Sequence, residues 1–383
     1  MYQRMVRLPK KLKESFFLWG PRQVGKSTLL KQLYADALWV DLLKADEFRR
    51  YTQHPERLRE ELLAIPHQKA VIIDEIQKVP QLLDEVHWLI ENKQIHFALC
   101  GSSARKVKSG HANLLGGRAI RYELYGLVSA EIGAQFDLDR LLNNGYIPNH
   151  YDKKNARRHI QAYISDYLKE EIAAEGLVRN LPAFADFLDI VALTDGELVN
   201  YANIARDCGV ANNTVKEYFQ ILQDTLLGCW LPAYRKRPKR RVSKMPKFYF
   251  NDIGVVNLLA KRHTLEQGSE LYGKAFENWI FHELKCHSQY SELFYQLSYW
   301  RLSSGLEVDF IINDMDIAIE AKASKRIKNI HLKGLREVIK DQPTIKQRVI
   351  VCLEDKERLT EDGIRILPAH QFCKRLWNNE LIN

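Results

Sequence analysis

An α/β fold in three parts is what this sequence predicts, and three stretches of it carry the prediction. "SFFLWGPRQVGKSTLLKQLY" runs from a short apolar strand through a glycine-bearing loop into a helical pattern. From Ala156 to Leu227 the pattern is helical. "GLEVDFIINDMDIAIEAKAS", residues 305–324, alternates as two strands about a short turn. Together they give a parallel-sheet domain over residues 1–150, a helical and winged-helix segment over 151–262, and a second α/β domain over 263–383. A chain of 383 residues is too long for one ordinary core, which also favours two or three domains.

Composition narrows the class. The chain is 46% apolar and 27% charged, which is globular rather than disordered. No apolar run reaches the roughly 18 residues of a membrane helix. The basic N-terminus lacks the apolar segment and small-residue cleavage site of a signal peptide. A cytoplasmic protein with no membrane partner is expected. Six cysteines, at 100, 208, 229, 286, 352 and 373, form no C-x-x-C pair, which fits reduced thiols and argues against a zinc site. The net charge of +9 is uneven: between Arg235 and Lys247, eight of thirteen residues are Lys or Arg. Such a run is either a solvated loop or a contact for a polyphosphate backbone.

Within the first stretch, Gly20-x-x-x-x-Gly25-Lys26-Ser27 matches the P-loop pattern. Its glycines let backbone N–H groups point at phosphate oxygens, and the N-terminus of the following helix adds a favourable dipole. Gly20, Pro21, Arg22, Gln23, Val24 and Gly25 would wrap a triphosphate. Lys26 would reach its β- and γ-phosphates, and Ser27 would hold Mg²⁺ with Thr28 alongside. "AVIIDEIQKVP" reads as a buried strand that ends in Asp74 and Glu75, at the edge of a parallel sheet where ligands bind. Asp74 would join the Mg²⁺ shell, and Glu75 would polarise the attacking water. A third strand, "IHFALCGSSAR", ends in Ser102 and Ser103, which either sense the γ-phosphate or simply form a turn. "ALWVDL" and "AIRYEL" supply further strands. ATP and Mg²⁺ are the expected cofactors.

Gly20–Ser27, the acid pair in "IIDEIQK", "CGSSAR" and "LLGGRAIRYELYGL" together resemble the AAA-type P-loop ATPases of bacteria and archaea. In particular they resemble the subgroup whose C-terminal half is a domain of unknown function (DUF4143-like). The resemblance runs along nearly the whole chain and implies ATP binding and hydrolysis. It also puts on Arg118 an arginine suspected of touching nucleotide; the other reading is a surface arginine after a turn. A finger acting across a subunit boundary would need a homo-oligomer.

In the helical part, Ile160, Tyr163, Ile164, Tyr167, Leu168 and Ile172 form a core-facing stripe. In "NYANIARDCGVANNTVKEYFQILQDTLL", Ala205, Gly209 and Val215 fall at helix-turn-helix spacing: a small residue at the helix contact, a glycine at the turn, an apolar pin on the second helix. Asn212, Asn213 or Thr214 would cap that helix, and Asn213, Lys216 and Glu217 would face outward. The basic run then sits where a wing would, with "KFYFNDIG" as the returning strand. DNA is the expected partner, with a protein-protein lid as the alternative.

The hairpin poses a charge problem. Val308, Phe310 and Ile312 are expected on one face, Glu307 and Asp309 on the other. A four-residue turn sets Ile312 against Ile317, Asp309 against Glu320 and Glu307 against Lys322. Facing acids need a divalent cation, the lysine or open solvent. Upstream, Glu277 shares a helix face with Ile280, Phe281 and Leu284, or sits at its edge. Helix Glu277, strand Asp309 and Glu320-Ala321-Lys322 resemble the PD-(D/E)XK nuclease superfamily, although the Asp lies in "EVDF" rather than a PD pair. That resemblance implies metal ligation by Glu277, Asp309 and Glu320, with Lys322 orienting or deprotonating a water, in a restriction-endonuclease-like fold. Two function classes follow: an ATP-hydrolysing, DNA-directed enzyme with a metal-dependent nuclease domain, or a nucleotide-gated regulatory protein with a non-cutting scaffold.

Overall fold

The computed structural model describes residues 2–65, 70–103, 115–165, 178, 180–234 and 245–382. Tyr167, Leu168 and Ile172 of the helical stripe, and residues 235–244 of the basic run, lie outside the described residues. The chain forms two compact units. One is Val6–Gly126 with Gln220–Leu227; the other is Met1–Met5, Leu127–Phe219 and Gly228–Asn383. The last segment read from sequence and the middle one apart from Gln220–Leu227 thus lie together in the second unit.

In the first unit, β1 (Ser15–Trp19), β2 (Leu38–Asp41), β3 (Val71–Asp74), β4 (Phe97–Gly101) and β5 (Ala119–Glu123) form one sheet in the order β2-β3-β4-β1-β5. Every pairing is parallel. The apolar runs of β1, β3 and β4 are buried throughout, as strands covered on both faces require. Phe17, Trp19, Ile73, Phe97 and Leu99 pack with Val86 and Leu89 of the helix Leu82–Lys93. Parallel strands carry their C-terminal ends to one edge, and there the turn after β1 leads into the helix Lys26–Leu33. Gly20 is required at this turn. Its N–H donates to the Gly101 carbonyl at 3.3 Å, and a Cβ would stand 2.3 Å from the Leu124 carbonyl oxygen.

The second unit opens with helices and a small sheet. Asn180 caps the helix Leu181–Leu193, and Asn200 caps Tyr201–Asp207, each through its side-chain oxygen. Gly209 takes a φ of 65° with open space where a Cβ would go, so it is the left-handed backbone that demands glycine. Ala205 and Val215 are buried, as their spacing predicts. The next helix begins at Asn212, with the Val215 N–H on the Ala211 carbonyl, so Asn213 and Thr214 lie inside its first turn and do not cap it. β6 (Gly228–Leu231) and β7 (Lys247–Phe250) pair antiparallel, and Leu198 bridges to Lys247. Phe219, Trp230 and Phe248 pack ring against ring beneath this sheet.

The larger sheet of this unit is mixed. β8 (Leu297–Arg301), β9 (Glu307–Ile312), β10 (Ile317–Lys322), β11 (Gln347–Cys352), β12 (Arg358–Leu359) and β13 (Ile364–Pro368) run in the order β12-β13-β11-β10-β9-β8. The helix Glu270–Tyr290 packs on β10 from one face. The short helix Lys333–Val338 covers β9 and β10 from the other, its approach made possible by Gly334, where a Cβ would stand 2.0 Å from the Glu307 carbonyl oxygen.

The hairpin register is the expected one for Ile312–Ile317, Ile311–Ala318 and Phe310–Ile319. Strict alternation, however, breaks at Asp309. Between β8 and β9 the pairing steps from Ser298–Ile311 to Trp300–Val308, two residues against three, so β9 carries a bulge. In consequence Val308 packs with Ile311 and Ala318 in the core under Lys333–Val338, while Phe310 meets Phe281 and Tyr249 on the opposite face. The expected pairings of Asp309 with Glu320 and Glu307 with Lys322 fall beyond the last paired residues. There the Asp309 carboxylate itself accepts the Ala321 N–H at 2.8 Å.

Candidate functional site

The nucleotide-type edge is assembled from the ends of β1, β3 and β4. Gly25 holds a φ of 97° at the helix start, and Leu29 N–H closes the first turn on the Gly25 carbonyl at 2.9 Å. The Lys26 ammonium is buried and donates to the carbonyls of Gly20 at 2.7 Å and Pro21 at 2.9 Å. Its charge therefore sits in the hollow of the loop it is expected to serve. Ser27 is half-buried and Thr28 exposed, while Pro21 and Val24 are buried and Gln23 is exposed with a φ of 61°.

Asp74 closes β3 beside Cys100 of β4. It is only 5% exposed, and among the described residues its Oδ1 has no hydrogen-bond partner. A buried acceptor without a donor is costly unless a cation or water serves it. Burial, and next the Asp74 charge, push the Cys100 thiol well up, with Lys26 acting the other way and Glu75 reinforcing the rise. Lys26, Asp74 and Glu75 thus act on one point.

Glu75 stands at φ 59°, ψ 43°, a left-handed conformation that costs a non-glycine residue about 1–2 kcal/mol. Gln77, almost fully buried, secures it: its Nε2 donates to the Glu75 carboxylate and to the Ser102 hydroxyl, the latter at 3.0 Å. Ser102 and Ser103 are both buried. Arg118 stays apart: its Nε donates to Glu91 in an exposed ion pair.

The acids of the second unit are arranged differently. Glu277, on the helix Glu270–Tyr290, accepts from Lys247 Nζ at 3.1 Å and from the Tyr249 hydroxyl at 2.6 Å. The same ammonium donates to Glu307 at 2.6 Å, and Glu307 also accepts from Arg301 at 2.7 Å. Lys322 holds Glu320 at 2.9 Å. Burial, then the charges of Glu320 and Glu277, push the Asp309 carboxyl far above its usual range. Burial also raises Glu320, against the pull of Lys322. Glu307 goes the other way: Lys247 and Arg301 overcome burial and hold it low.

Lys247 is the residue the sequence misplaced. Counted both at the end of the basic run and at the head of the strand "KFYFNDIG", it is buried at the start of β7, with its side chain among the acids. Of the two facing acids, Glu320 has the expected lysine in contact, Lys322. Among the described residues no group of three or more His, Cys, Asp or Glu side chains is arranged to hold a metal ion. Glu277, Asp309 and Glu320 are thus not gathered into such a group. The Asp74 edge is not subject to the same test, since Mg²⁺ at a triphosphate takes most of its oxygens from phosphate and water.

Residues 13–133 match the family model described as an AAA domain. An AAA domain opens this chain. Residues 135–266 match a domain of unknown function (DUF8612), and residues 272–372 match another, DUF4143. Uncharacterized proteins of Mycobacterium tuberculosis and Mycobacterium bovis are each 26% identical over 307 residues, 77% of this chain. The chain spans 66% of the length of these curated relatives, just under two thirds. Among solved structures, the Aeropyrum pernix ORC1 protein in complex with DNA is similar at 13% identity and a TM-score of 0.29, over 65% of this chain and 86% of that one.

The AAA domain implies a nucleoside triphosphate as ligand. Its sheet order and loop put Lys26, Asp74, Glu75 and Ser102 at one edge, and leave Arg118 out of it within a single chain. Sequence reading passed over Gln77, although it lies in the quoted "IIDEIQK"; a polar residue two positions after an acid pair gives no signal of its own. Tyr249 was likewise missed, and Glu307, expected against Lys322, is met by Lys247 and Arg301 instead, because strand alternation says nothing of which neighbouring element supplies a countercharge. Among the described residues no helix is long and apolar enough to cross a membrane.

Proposed function

We propose that the chain is an ATP hydrolase that acts on or with DNA, its nucleotide state governing how the second unit engages nucleic acid. The observation that carries the ATPase reading is the buried Asp74 Oδ1, without a partner among the described residues, at the edge where Lys26 fills the loop. Mg²⁺ bound with ATP would neutralise the β- and γ-phosphates, and Ser27 and Asp74 are the residues to hold it. Gly20 to Gly25 present backbone N–H groups to phosphate, with Thr28 at the rim. Lys26 Nζ exchanges the Gly20 and Pro21 carbonyls for phosphate oxygens. Glu75 orients the attacking water, held by Gln77, with Ser102 beside the γ-phosphate. Arg118 would reach nucleotide only across a homo-oligomer boundary.

DNA engagement is assigned to the helix pair Tyr201–Asp207 and Asn212–Asp224, in a winged-helix arrangement with Leu198, β6 and β7. Asn213, Lys216 and Glu217 are exposed on the second helix, and the basic run follows. Contact through phosphates predicts duplex affinity that falls steeply with salt. Three modules, 1–150, 151–262 and 263–383, divide these tasks in a cytoplasmic protein.

For the last module the lysine-held acids favour the non-cutting scaffold over a PD-(D/E)XK nuclease. The deciding experiment incubates purified protein with plasmid, Mg²⁺ and ATP, following phosphate release and strand breaks together. Phosphate release without breaks is expected. Breaks lost in Asp309→Ala would restore the nuclease reading, with Lys322 on the water, and no phosphate release from ATP would end the ATPase reading.

A further inference from the structure

We propose that Lys247 is the resident cation of the C-terminal acidic cluster and keeps divalent metal out of it. The inference rests on the reading of the last domain as a non-cutting scaffold. Four carboxylates meet there, on Glu277, Glu307, Asp309 and Glu320, against the cations Lys247, Lys322 and Arg301. Among the described residues Lys247 alone bridges two of the acids, and it is the most buried of the three cations, with 4% of its side chain exposed against 38% for Lys322 and 37% for Arg301.

An independent observation shows that the cluster still has an open acceptor. The Glu320 side chain is nine-tenths buried, and among the described residues its Oε2 has no hydrogen-bond partner. The bulge in β9 brings Asp309 to the same place, where one carboxylate oxygen takes the Ala321 N–H. Oxygen donors of this kind suit a hard divalent cation. Glu277 meets them with one oxygen already engaged, because Lys247 and Tyr249 both donate to its Oε1. An ammonium fixed by hydrogen bonds to two carboxylates supplies charge without offering a coordination position, so it repels a second cation.

The test uses the full chain without nucleotide and Mn²⁺ alone as the probe, read by water-proton relaxation. In the wild type the titration should be the same as in Asp309→Asn. Lys247→Met should gain one Mn²⁺ per chain, bound at least about tenfold more tightly than any wild-type site, and lose it again when Asp309→Asn is added. If Lys247→Met does not fold, Lys247→Met with Glu307→Leu removes the ion pair together and should gain the same site. A wild-type Mn²⁺ site that disappears in Asp309→Asn overturns the proposal. So does a folded Lys247 variant, single or double, that gains none. Phosphate release from ATP, followed on the same samples, reports separately on the AAA domain.

Discussion

Asp74 and Glu320 are both buried acids on strands of α/β sheets, and the two regions meet that burden in opposite ways. At the AAA edge no ion pair among the described residues holds Asp74, while Lys26 spends its hydrogen bonds on loop carbonyls. The acid and the ammonium share an edge without sharing a bond. In the C-terminal acidic cluster, Glu277, Glu307 and Glu320 are each in contact with a cation, drawn from β7, β8 and β10. An acid cluster can thus wait for a cation from solution or carry its own. Under the proposal for Lys247, carboxylates in the right order do not by themselves define a metal site; the nearest ammonium decides.

The sharpest way to break the comparison is Lys26→Ala. It should remove ATP binding in calorimetry and phosphate release alike, with no loss at the acidic cluster. Glu75→Gln should lower turnover by about 10²–10³-fold while ATP affinity holds within a few-fold; equal losses in both would demote Glu75 to a structural acid.

Stability should then separate the two regions by sign. Lys247→Ala leaves Glu277 and Glu307 without their shared partner and should cost about 2–4 kcal/mol in urea unfolding, discounted because both acids retain some solvent. Lys322→Ala, at a more exposed ammonium, should cost about 1 kcal/mol or less. Asp74→Asn removes a buried charge that no donor among the described residues serves at Oδ1, and stability should hold within about 1 kcal/mol or rise, even as activity is lost. A loss at Asp74 as large as that at Lys247 would erase the distinction.

The smallest effect is a pH slope. Burial raises Asp195 and Glu283 to about 7, although each carboxylate accepts several hydrogen bonds. The folded state therefore holds protons that the unfolded state releases near pH 4, and these two groups make stability fall as pH rises from about 4 to 7. Glu283→Gln should flatten part of that fall in melting curves taken between pH 5 and 8. An unchanged slope would mean that Glu283 titrates as an ordinary carboxylate.

Much of this fold could be read from the chain. The strands at "SFFLW", "VIID" and "FALCG" are short apolar runs between turn signals, and their burial depends only on side-chain chemistry and period. Gly20, Gly25 and Gly209 announced themselves because tight turns and left-handed backbone leave few alternatives to glycine. The alternation of β9 was misread at Asp309, since a bulge depends on how β8 pairs beside it and not on the strand's own residues.

By itself, then, the sequence determined the P-loop, the parallel strands around it and the order of acids near the far end, because local backbone geometry and hydrophobic period are properties of neighbouring residues. Tertiary structure alone decided which charge met which. Lys247 reaches Glu277 across 30 positions and Glu307 across 60, and Gln77 reaches Ser102 across 25. Electrostatic pairing acts through space over a few ångströms, so its outcome is set only when the folded chain has brought those distant residues together.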